Sequence, residues 1–142
     1  MRIPMKVDYG VRALVELAQS QRDRPIQAAE IASRQSIPEP YLDQLLTTLS
    51  KFGFVRSRRG PQGGHMLARP PEEITLDMVM HTLEGTTALL DCIHEPQECS
   101  LSNACAQREV WRSVEEAFQK VLSSTTVGDL AKRQRQLAGQ IV

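Results

Sequence analysis

The stretch AAEIASRQSIPEPYLDQLL, residues 28–46, predicts two short helices joined by a tight turn. The first is rich in alanine and is predicted to end near Ser36. The turn spans residues 37–40, because proline is tolerated in the first turn of a helix but not in its interior. The second helix has a stripe of leucines at Leu42, Leu45, Leu46 and Leu49. Tyr41 and Gln44 lie away from this stripe, which gives a helix-turn-helix pattern.

A glycine-rich hairpin is predicted directly after this pair of helices, in FVRSRRGPQGGHMLARP, residues 54–70. Residues 54–57 resemble a short strand, residues 65–68 its partner, and residues 59–64 the loop between them. A basic hairpin after a helix-turn-helix is the layout of a winged helix. In that layout the second helix enters the major groove and the wing presents arginine to phosphate or the minor groove.

The chain has no formal net charge at pH 7, but its charges are segregated. The basic residues between positions 51 and 69 are Lys51, Arg56, Arg58, Arg59 and Arg69, with no acid among them. The acids between positions 70 and 107 are Glu72, Glu73, Asp77, Glu84, Asp91, Glu95 and Glu98, with no Lys or Arg. Because local basic patches decide whether a surface attracts phosphate, this pattern favours DNA binding through residues 51–69.

Further helices are predicted on both sides of this unit. An apolar stripe indicates a helix over residues 6–19, and Thr75 is a plausible N-cap for another that ends at Gly85. Residues 110–122 carry a broad apolar stripe on a long helix, and Thr126 and Asp129 begin a last helix with a near capping box. The predicted fold is therefore mainly α with a small β-hairpin wing.

The long helix is interpreted as a dimerisation helix that packs against its own copy, because a single small domain has little need of so apolar a terminal helix. The alternative is a helix folded onto its own core. The predicted organisation is a winged helix-turn-helix domain over residues 1–85, a cysteine-containing loop over residues 86–107, and the dimerisation and C-terminal helices over residues 108–142.

Composition and targeting features predict a cytoplasmic protein. The chain has 142 residues, of which 41% are hydrophobic, and no apolar run approaches the length of about 20 residues needed to span a membrane. Its N-terminus, MRIPMKVDYG, lacks the apolar core of a signal peptide. All three cysteines, Cys92, Cys99 and Cys105, lie within fourteen positions. In the cytoplasm such thiols more often hold metal or sense redox state than form disulfides.

Four segments together resemble the iron–sulfur-responsive winged-helix regulators of the IscR/NsrR (Rrf-two) family. They are DYGVRALVELA (residues 8–18), AAEIASRQSIPEPYLDQLL (28–46), RGPQGGHMLARP (59–70) and EITLDMVMHTLEG (73–85). The resemblance covers nearly the whole chain, and His65 departs from it because the family usually has tyrosine there. It implies a homodimer that binds a palindromic operator in double-stranded DNA, and three cysteines that carry an iron–sulfur cluster.

The resemblance also implies which residues contact DNA. Four lie at the start of the recognition helix, namely Pro38, Tyr41, Asp43 and Gln44, and four in the wing, namely Arg59, Gln62, Gly63 and Gly64. Gln44 could pair with adenine, and Asp43 could accept a hydrogen bond from the N4 of cytosine. Tyr41 has a second interpretation as a packing aromatic, and Asp43 as a solvated acid in the first turn of its helix.

The fourth cluster ligand is left open by the sequence. A two-iron or four-iron cluster is saturated by four ligands, and the cysteines supply three. In IscR-like relatives the fourth is a histidine three residues after the last cysteine, where this chain has Arg108, which cannot coordinate. In NsrR-like relatives an aspartate from the opposite subunit completes the site, and Asp8 matches it. The alternatives are His94 or Glu95 within the cysteine loop, with His81 ranked below them.

Four alternatives are weighed against a cluster-controlled repressor. A structural zinc site could use the cysteines with His94, but it lacks the closely spaced cysteine pair typical of zinc sites. A metal-free thiol switch ranks below zinc, and a regulator could also act partly through a protein partner. An enzyme is disfavoured, because Cys92 and His94 diverge on regular elements and no oxyanion or phosphate motif accompanies them.

Overall fold

A computed structural model describes residues 2–20, 24–85 and 88–139. Its principal helices are α1 (Met5–Gln19), α2 (Ala28–Gln35), α3 (Glu39–Lys51), α4 (Leu76–Glu84), α5 (Asp91–His94), α6 (Ala106–Ser124) and α7 (Val127–Gly139). Strands β1 (Val55–Arg58) and β2 (Gly64–Leu67) form one antiparallel hairpin between α3 and α4. The prediction of a mainly helical winged fold is confirmed.

The turn of the helix-turn-helix is formed by Ser36, which has a left-handed backbone with φ 53°. The N–H groups of Ser36 and Ile37 both donate to the carbonyl of Ala32, which caps the end of α2. Helix α3 then begins at Glu39 with Pro40 in its first turn, where the missing N–H of proline costs nothing. The predicted turn over residues 37–40 overlaps the observed one, but the turn begins at Ser36, and Glu39 and Pro40 already belong to α3.

The two strands pair from Val55 with Leu67 to Arg58 with Gly64. Each strand is displaced by about one residue from its predicted position, since Phe54 precedes β1 and Gly64 belongs to β2. Gly64 was assigned to the loop because glycine usually marks a turn, but pairing of its backbone with Arg58 includes it in the strand.

Both predicted caps are present. The Thr75 Oγ1 accepts a hydrogen bond from the Met78 N–H at 3.2 Å and begins α4. At α7, the Asp129 N–H donates to Thr126 Oγ1 at 3.0 Å, and the Thr126 N–H donates to Asp129 Oδ2 at 2.9 Å. These reciprocal bonds form a capping box and fix the corner between α6 and α7.

The core joins the helix-turn-helix to the C-terminal helices. The leucine stripe of α3 packs with α1, α2 and β1, and Leu122, Val127 and Ala131 complete the same cluster. Helix α7 packs along α1, while the C-terminal end of α6 packs against α4. The N-terminal part of α6 contacts α5 rather than this core.

Candidate DNA-binding surface and cysteine segment

The start of α3 presents most of the predicted base-reading residues to solvent. Pro38, Asp43 and Gln44 are exposed, whereas Tyr41 is half-buried. The Tyr41 ring packs edge-to-face against Tyr9 of α1, with 5.5 Å between centroids. Such a contact stabilises by about 0.5–1.5 kcal/mol beyond area burial. Tyr41 therefore has a packing role, as its second interpretation proposed, and the other three side chains are free to reach DNA.

The wing loop combines exposed polar side chains with glycines that the fold itself requires. Arg59 and Gln62 are exposed, but Gly63 is buried. A Cβ on Gly63 would lie 2.0 Å from the carbonyl oxygen of Arg58. Gly64 has φ 148°, and its Cβ would lie 2.6 Å from the backbone carbonyl of Ile26. Any larger side chain would clash at either position, so packing of the wing alone accounts for both glycines.

His65 connects the wing to the helix-turn-helix. Its backbone exchanges two hydrogen bonds with Ile26, of 2.7 and 2.8 Å, and its Nδ1 lies 3.0 Å from the Ser57 Oγ. Burial lowers the pKa of His65 below its ordinary 6.5, and the negative charge of Asp43 opposes that shift. The histidine that stands where tyrosine was expected therefore fills a half-buried position next to α3.

A polar contact on α1 links Asp8 to the helix-turn-helix. The Arg12 guanidinium donates from Nε and Nη2 to the two Asp8 carboxylate oxygens, at 2.9 and 3.0 Å, and from Nη1 to the Gln35 carbonyl at 3.1 Å. It also lies over the Tyr9 ring, 5.3 Å from the centroid. Arg12 could not be recognised from the sequence as a contact to the turn, because an arginine four residues after an aspartate is common on solvated helix faces.

A second contact holds the same end of α2. Glu16 is buried on α1, and its carboxylate accepts hydrogen bonds from Gln35 Nε2 at 2.8 Å and from Arg34 Nη1 at 2.9 Å. The backbone of Gln35 is thus bound by Arg12 and its side chain by Glu16. Because Gln35 immediately precedes the turn, α1 determines the direction in which the chain enters α3.

Asp8 lies at the edge of a largely apolar cleft of about 590 Å³. Val11 and Val15 of α1, Met80 of α4 and Leu137 of α7 line its floor and walls. The Asp8 side chain is 44% exposed, so its carboxylate is accessible from this cleft.

The cysteine segment is built of short turns. Helix α5 is followed by 3₁₀ turns at Pro96–Glu98 and Ser102–Ala104, and α6 then begins at Ala106. All three cysteines are free thiols of intermediate exposure. Within residues 2–20, 24–85 and 88–139, no three Cys, His, Asp or Glu side chains are gathered closely enough to hold a metal ion. The soft thiolate donors suit an iron–sulfur cluster, but their convergence would require this segment to change shape.

The two in-loop candidates for the fourth ligand differ in their surroundings. His94 contacts the carboxylate of Glu115 through Nε2, and the same carboxylate accepts a hydrogen bond from the Leu89 N–H at 3.5 Å. Glu115 lies on α6 and its side chain is only 7% exposed. Glu95 is exposed, as is His81 on α4. His94 is therefore already engaged in joining the cysteine segment to the long helix.

Arg108 has a structural role at the position where IscR-like relatives place their histidine. Its Nε donates to the Cys92 carbonyl at 2.9 Å and its Nη2 to the Ile93 carbonyl at 3.5 Å. The side chain cannot coordinate a metal, but it attaches the backbone of the first cysteine to the first turn of α6.

Helix α6 has an apolar face with no packing partner in the described part of the chain. The exposed large apolar residues on this helix are Val110, Trp111, Val114 and Val121. Only Leu122, near its end, is a buried apolar residue. Exposed apolar stripes of this kind mark protein–protein interfaces.

An exposed recognition helix beside an arginine-bearing wing defines a winged-helix DNA-binding protein. A family profile described as Rrf2, iron-dependent transcriptional regulator, matches residues 3–133. The chain belongs to the Rrf2 family of DNA-binding transcriptional regulators, which confirms the family resemblance drawn from the sequence.

Three similar proteins show the range of the family. The slr0846 protein of Synechocystis sp. is 37% identical over 130 residues, covering 92% of this chain and 87% of that protein. The CymR structure, titled the global cysteine regulator of B. subtilis, superimposes with a TM-score of 0.80 at 32% identity, covering 94% and 98% of the two chains. IscR of T. potens gives a TM-score of 0.77 at 34% identity, covering 94% and 88%. The named relatives are regulators rather than enzymes.

No helix among the described residues is long and apolar enough to cross a membrane.

Proposed function

We propose that this regulator is a cytoplasmic homodimeric repressor whose affinity for a palindromic operator is set by an iron–sulfur cluster. Cys92, Cys99 and Cys105 would hold the cluster, and Asp8 of the partner subunit would complete it. The single observation that carries the proposal is the contact of Arg12 with both Asp8 and the Gln35 carbonyl. It connects a candidate cluster ligand to the turn of the helix-turn-helix.

Donor chemistry supports the choice of group. The three thiols are free and lie in one short segment, and carboxylate is a ligand that a partner chain can supply. Arg108 is a permanent cation, and His94 contacts the buried carboxylate of Glu115, whereas the ion pair of Asp8 with Arg12 is about half exposed. Asp8 is therefore the first choice for the fourth position. Asp8 is accessible at the edge of an apolar cleft, into which a second subunit can bring its cysteine segment.

The apolar face of α6 supports the dimer. Val110, Trp111 and Val114 are exposed on α6, whose buried apolar contact with the core lies near its C-terminal end, so two copies can bury these faces against each other. The N-terminal end of α6 directly follows Cys105. Dimerisation through α6 would therefore bring the cysteine segments near the middle of the assembly.

The residues of this chain then act as follows. The Asp8 carboxylate would be shared between the Arg12 guanidinium and the iron of the partner subunit's cluster. It cannot keep two-point hydrogen bonds to Arg12 and also coordinate iron with ideal geometry. A change in that balance alters how firmly Arg12 holds the Gln35 carbonyl, and with it the placement of Asp43, Gln44 and the wing. When bound, the cluster supplies iron that reacts with nitric oxide or oxidants and is lost when iron is scarce.

The experiment for the cofactor is the visible absorption and iron-to-sulfide ratio of protein purified without oxygen. We expect coloured protein with stoichiometric iron and sulfide. Asp8→Ala should lower iron affinity by more than the about 10–100-fold that loss of an outer-shell partner costs. Asp77→Ala removes a carboxylate from the first turn of α4 and serves as the matched control. Iron binding that is the same in both variants would exclude Asp8 as a ligand.

A metal-free thiol switch is the second candidate. It is favoured by the free, separated thiols in the described residues and by the similarity to CymR, whose structure is titled as that of a cysteine regulator. Under this alternative the protein purified without oxygen would be iron-free, and oxidation of the cysteines would change operator affinity. A structural zinc site, the third possibility, would give colourless protein with one zinc per chain and no sulfide.

A further inference from the structure

We infer that Arg24 and Arg58 together bind a backbone phosphate of duplex DNA in the cleft between the wing and the start of α2. Arg24 belongs to neither the recognition helix nor the wing in sequence. The inference rests on the proposed function only in that the chain binds duplex DNA, and it is independent of any cluster.

Folding brings Arg24 next to the wing. The two backbone hydrogen bonds between Ile26 and His65 attach the residues before α2 to β2, so that this segment runs along the hairpin. The contact is close because Gly64 has no side chain to hold the Ile26 backbone away. Arg24 lies two residues before Ile26, and Arg58 pairs with Gly64, the residue before His65. The segment before α2 and the hairpin therefore each carry a guanidinium next to the Ile26–His65 bridge.

The cleft itself has a volume of about 510 Å³ and lies open to solvent. Arg24 and Arg58 line it, and Gln62 and Gly63 of the wing loop form its edge. Both arginines are exposed, and neither makes an ion pair or hydrogen bond with another described residue. The carboxylate in the cleft, Glu30, is paired with Arg34. Among the described residues that line the cleft, the net charge is therefore positive.

A DNA phosphate fits this arrangement. Guanidinium groups bind phosphate through paired N–H donors, and their charge is permanent. The cleft adjoins Gln62, so a wing placed against the duplex brings the phosphate backbone to Arg24 and Arg58. A contact of this kind positions the protein on the duplex without reading its sequence.

The test is the dependence of DNA affinity on salt, measured by fluorescence anisotropy between about 50 and about 200 mM KCl. Each phosphate contact contributes about 0.9 to the slope of log K against log salt, so Arg24→Ala should reduce the slope by about 1.8 for a dimer with two such contacts. Affinity should fall by the same factor for the operator and for a scrambled duplex. Arg24→Lys, which keeps the charge, should restore most of the slope.

Arg135→Ala is the matched control, because it removes one exposed arginine from α7, far along the chain from the wing. It should leave the slope unchanged. An Arg24→Ala slope equal to that of the wild type, or a loss confined to the operator, would overturn the inference. Failure of the cluster proposal would instead appear as equal operator affinities with and without iron, with the effect of Arg24→Ala intact.

Discussion

Arg12 and Asp8 form a two-point ion pair on one face of α1, with N–O distances of 2.9 and 3.0 Å, while the third nitrogen of Arg12 binds the Gln35 carbonyl at the turn of the helix-turn-helix. Both side chains are about half exposed, so the pair is a weak contributor to stability, of about 0.2–1 kcal/mol. Because the ion pair joins a candidate cluster ligand to the helix-turn-helix, we expect it to affect DNA binding more than stability.

Replacement of Arg12 by methionine should separate stability from regulation. We expect the free energy of unfolding to fall by about 1 kcal/mol, from loss of the ion pair and the carbonyl contact. Iron content should be retained, while the difference in operator affinity between iron-loaded and iron-free protein shrinks severalfold. Lys6→Met is the control, since it breaks an ion pair between α1 and Glu84 that does not touch the turn. An unchanged affinity difference in Arg12→Met would remove this residue from the switch.

Glu115 should hold the cysteine segment against the long helix. Glu115→Ala removes the acceptor for both His94 and the Leu89 N–H, and should cost about 1.5 kcal/mol, the lower end for a charge-assisted hydrogen bond. Because the segment has few other attachments to α6, Cys92 should react severalfold faster with a thiol reagent in the iron-free protein. Glu116→Ala, one position further along on the exposed face, should leave that rate unchanged. Equal rates in the two variants would show that the segment is held elsewhere.

His65 predicts a loss of stability in mild acid. Burial lowers its pKa, so the unfolded chain takes up a proton as the pH falls through the ordinary value of 6.5 while the folded chain does not. The free energy of unfolding should therefore decrease below pH 6.5 and be unaffected by this residue above it. In His65→Gln that contribution should vanish. Urea unfolding at about pH 8 and about pH 5.5 measures the difference, and parallel pH profiles for the two proteins would contradict it.

The exposed face of α6 should be the dimer interface. Val114→Glu places one negative charge per subunit in the apolar stripe, so two like charges would face each other in the dimer. The dimer dissociation constant should rise by at least about 100-fold, or about 2.8 kcal/mol. Helix content should not change, because Val114 does not belong to the core of its own chain. Ser113→Glu adds the same charge beside the stripe and should remain dimeric in sedimentation. A dimeric Val114→Glu variant would place the interface elsewhere.

Local sequence patterns predicted most of the fold. The capping residues Thr75, Thr126 and Asp129 act within three positions of their partners, so short-range chemistry was sufficient to find them. The leucine stripe of α3 has the period of the helix it lies on, and it is buried as expected. Strand ends were displaced by a residue, because pairing across the hairpin extends β2 to include Gly64.

Contacts between distant segments could not be predicted in this way. Glu115 lies in a charged stretch that predicts a solvated face, yet it is buried because His94 and the Leu89 N–H, more than twenty residues away, supply its partners. Arg24 gives no sequence indication of a role at the wing, since only the Ile26–His65 bridge brings it there. Gly63 and Gly64 were predicted as DNA contacts from the family resemblance, and that prediction stands beside the packing role described above.

The assignment of cluster ligands and the proposed domain limits at residues 85 and 107 remain predictions. The single core includes Leu122, Val127 and Ala131, so the C-terminal helices are partly continuous with the winged helix. The cysteines were predicted as ligands from their clustering in the sequence and from the family resemblance. Their convergence in space would depend on the cluster itself, which is not part of the chain.

The most direct measurement is operator affinity at one fixed salt concentration, for protein purified without oxygen and for the same protein after removal of its iron. A coupling of about 1–3 kcal/mol predicts affinities that differ by about 5–150-fold. Equal affinities in the two forms, at matched dimer concentration, would contradict control of DNA binding by a cluster on Cys92, Cys99 and Cys105.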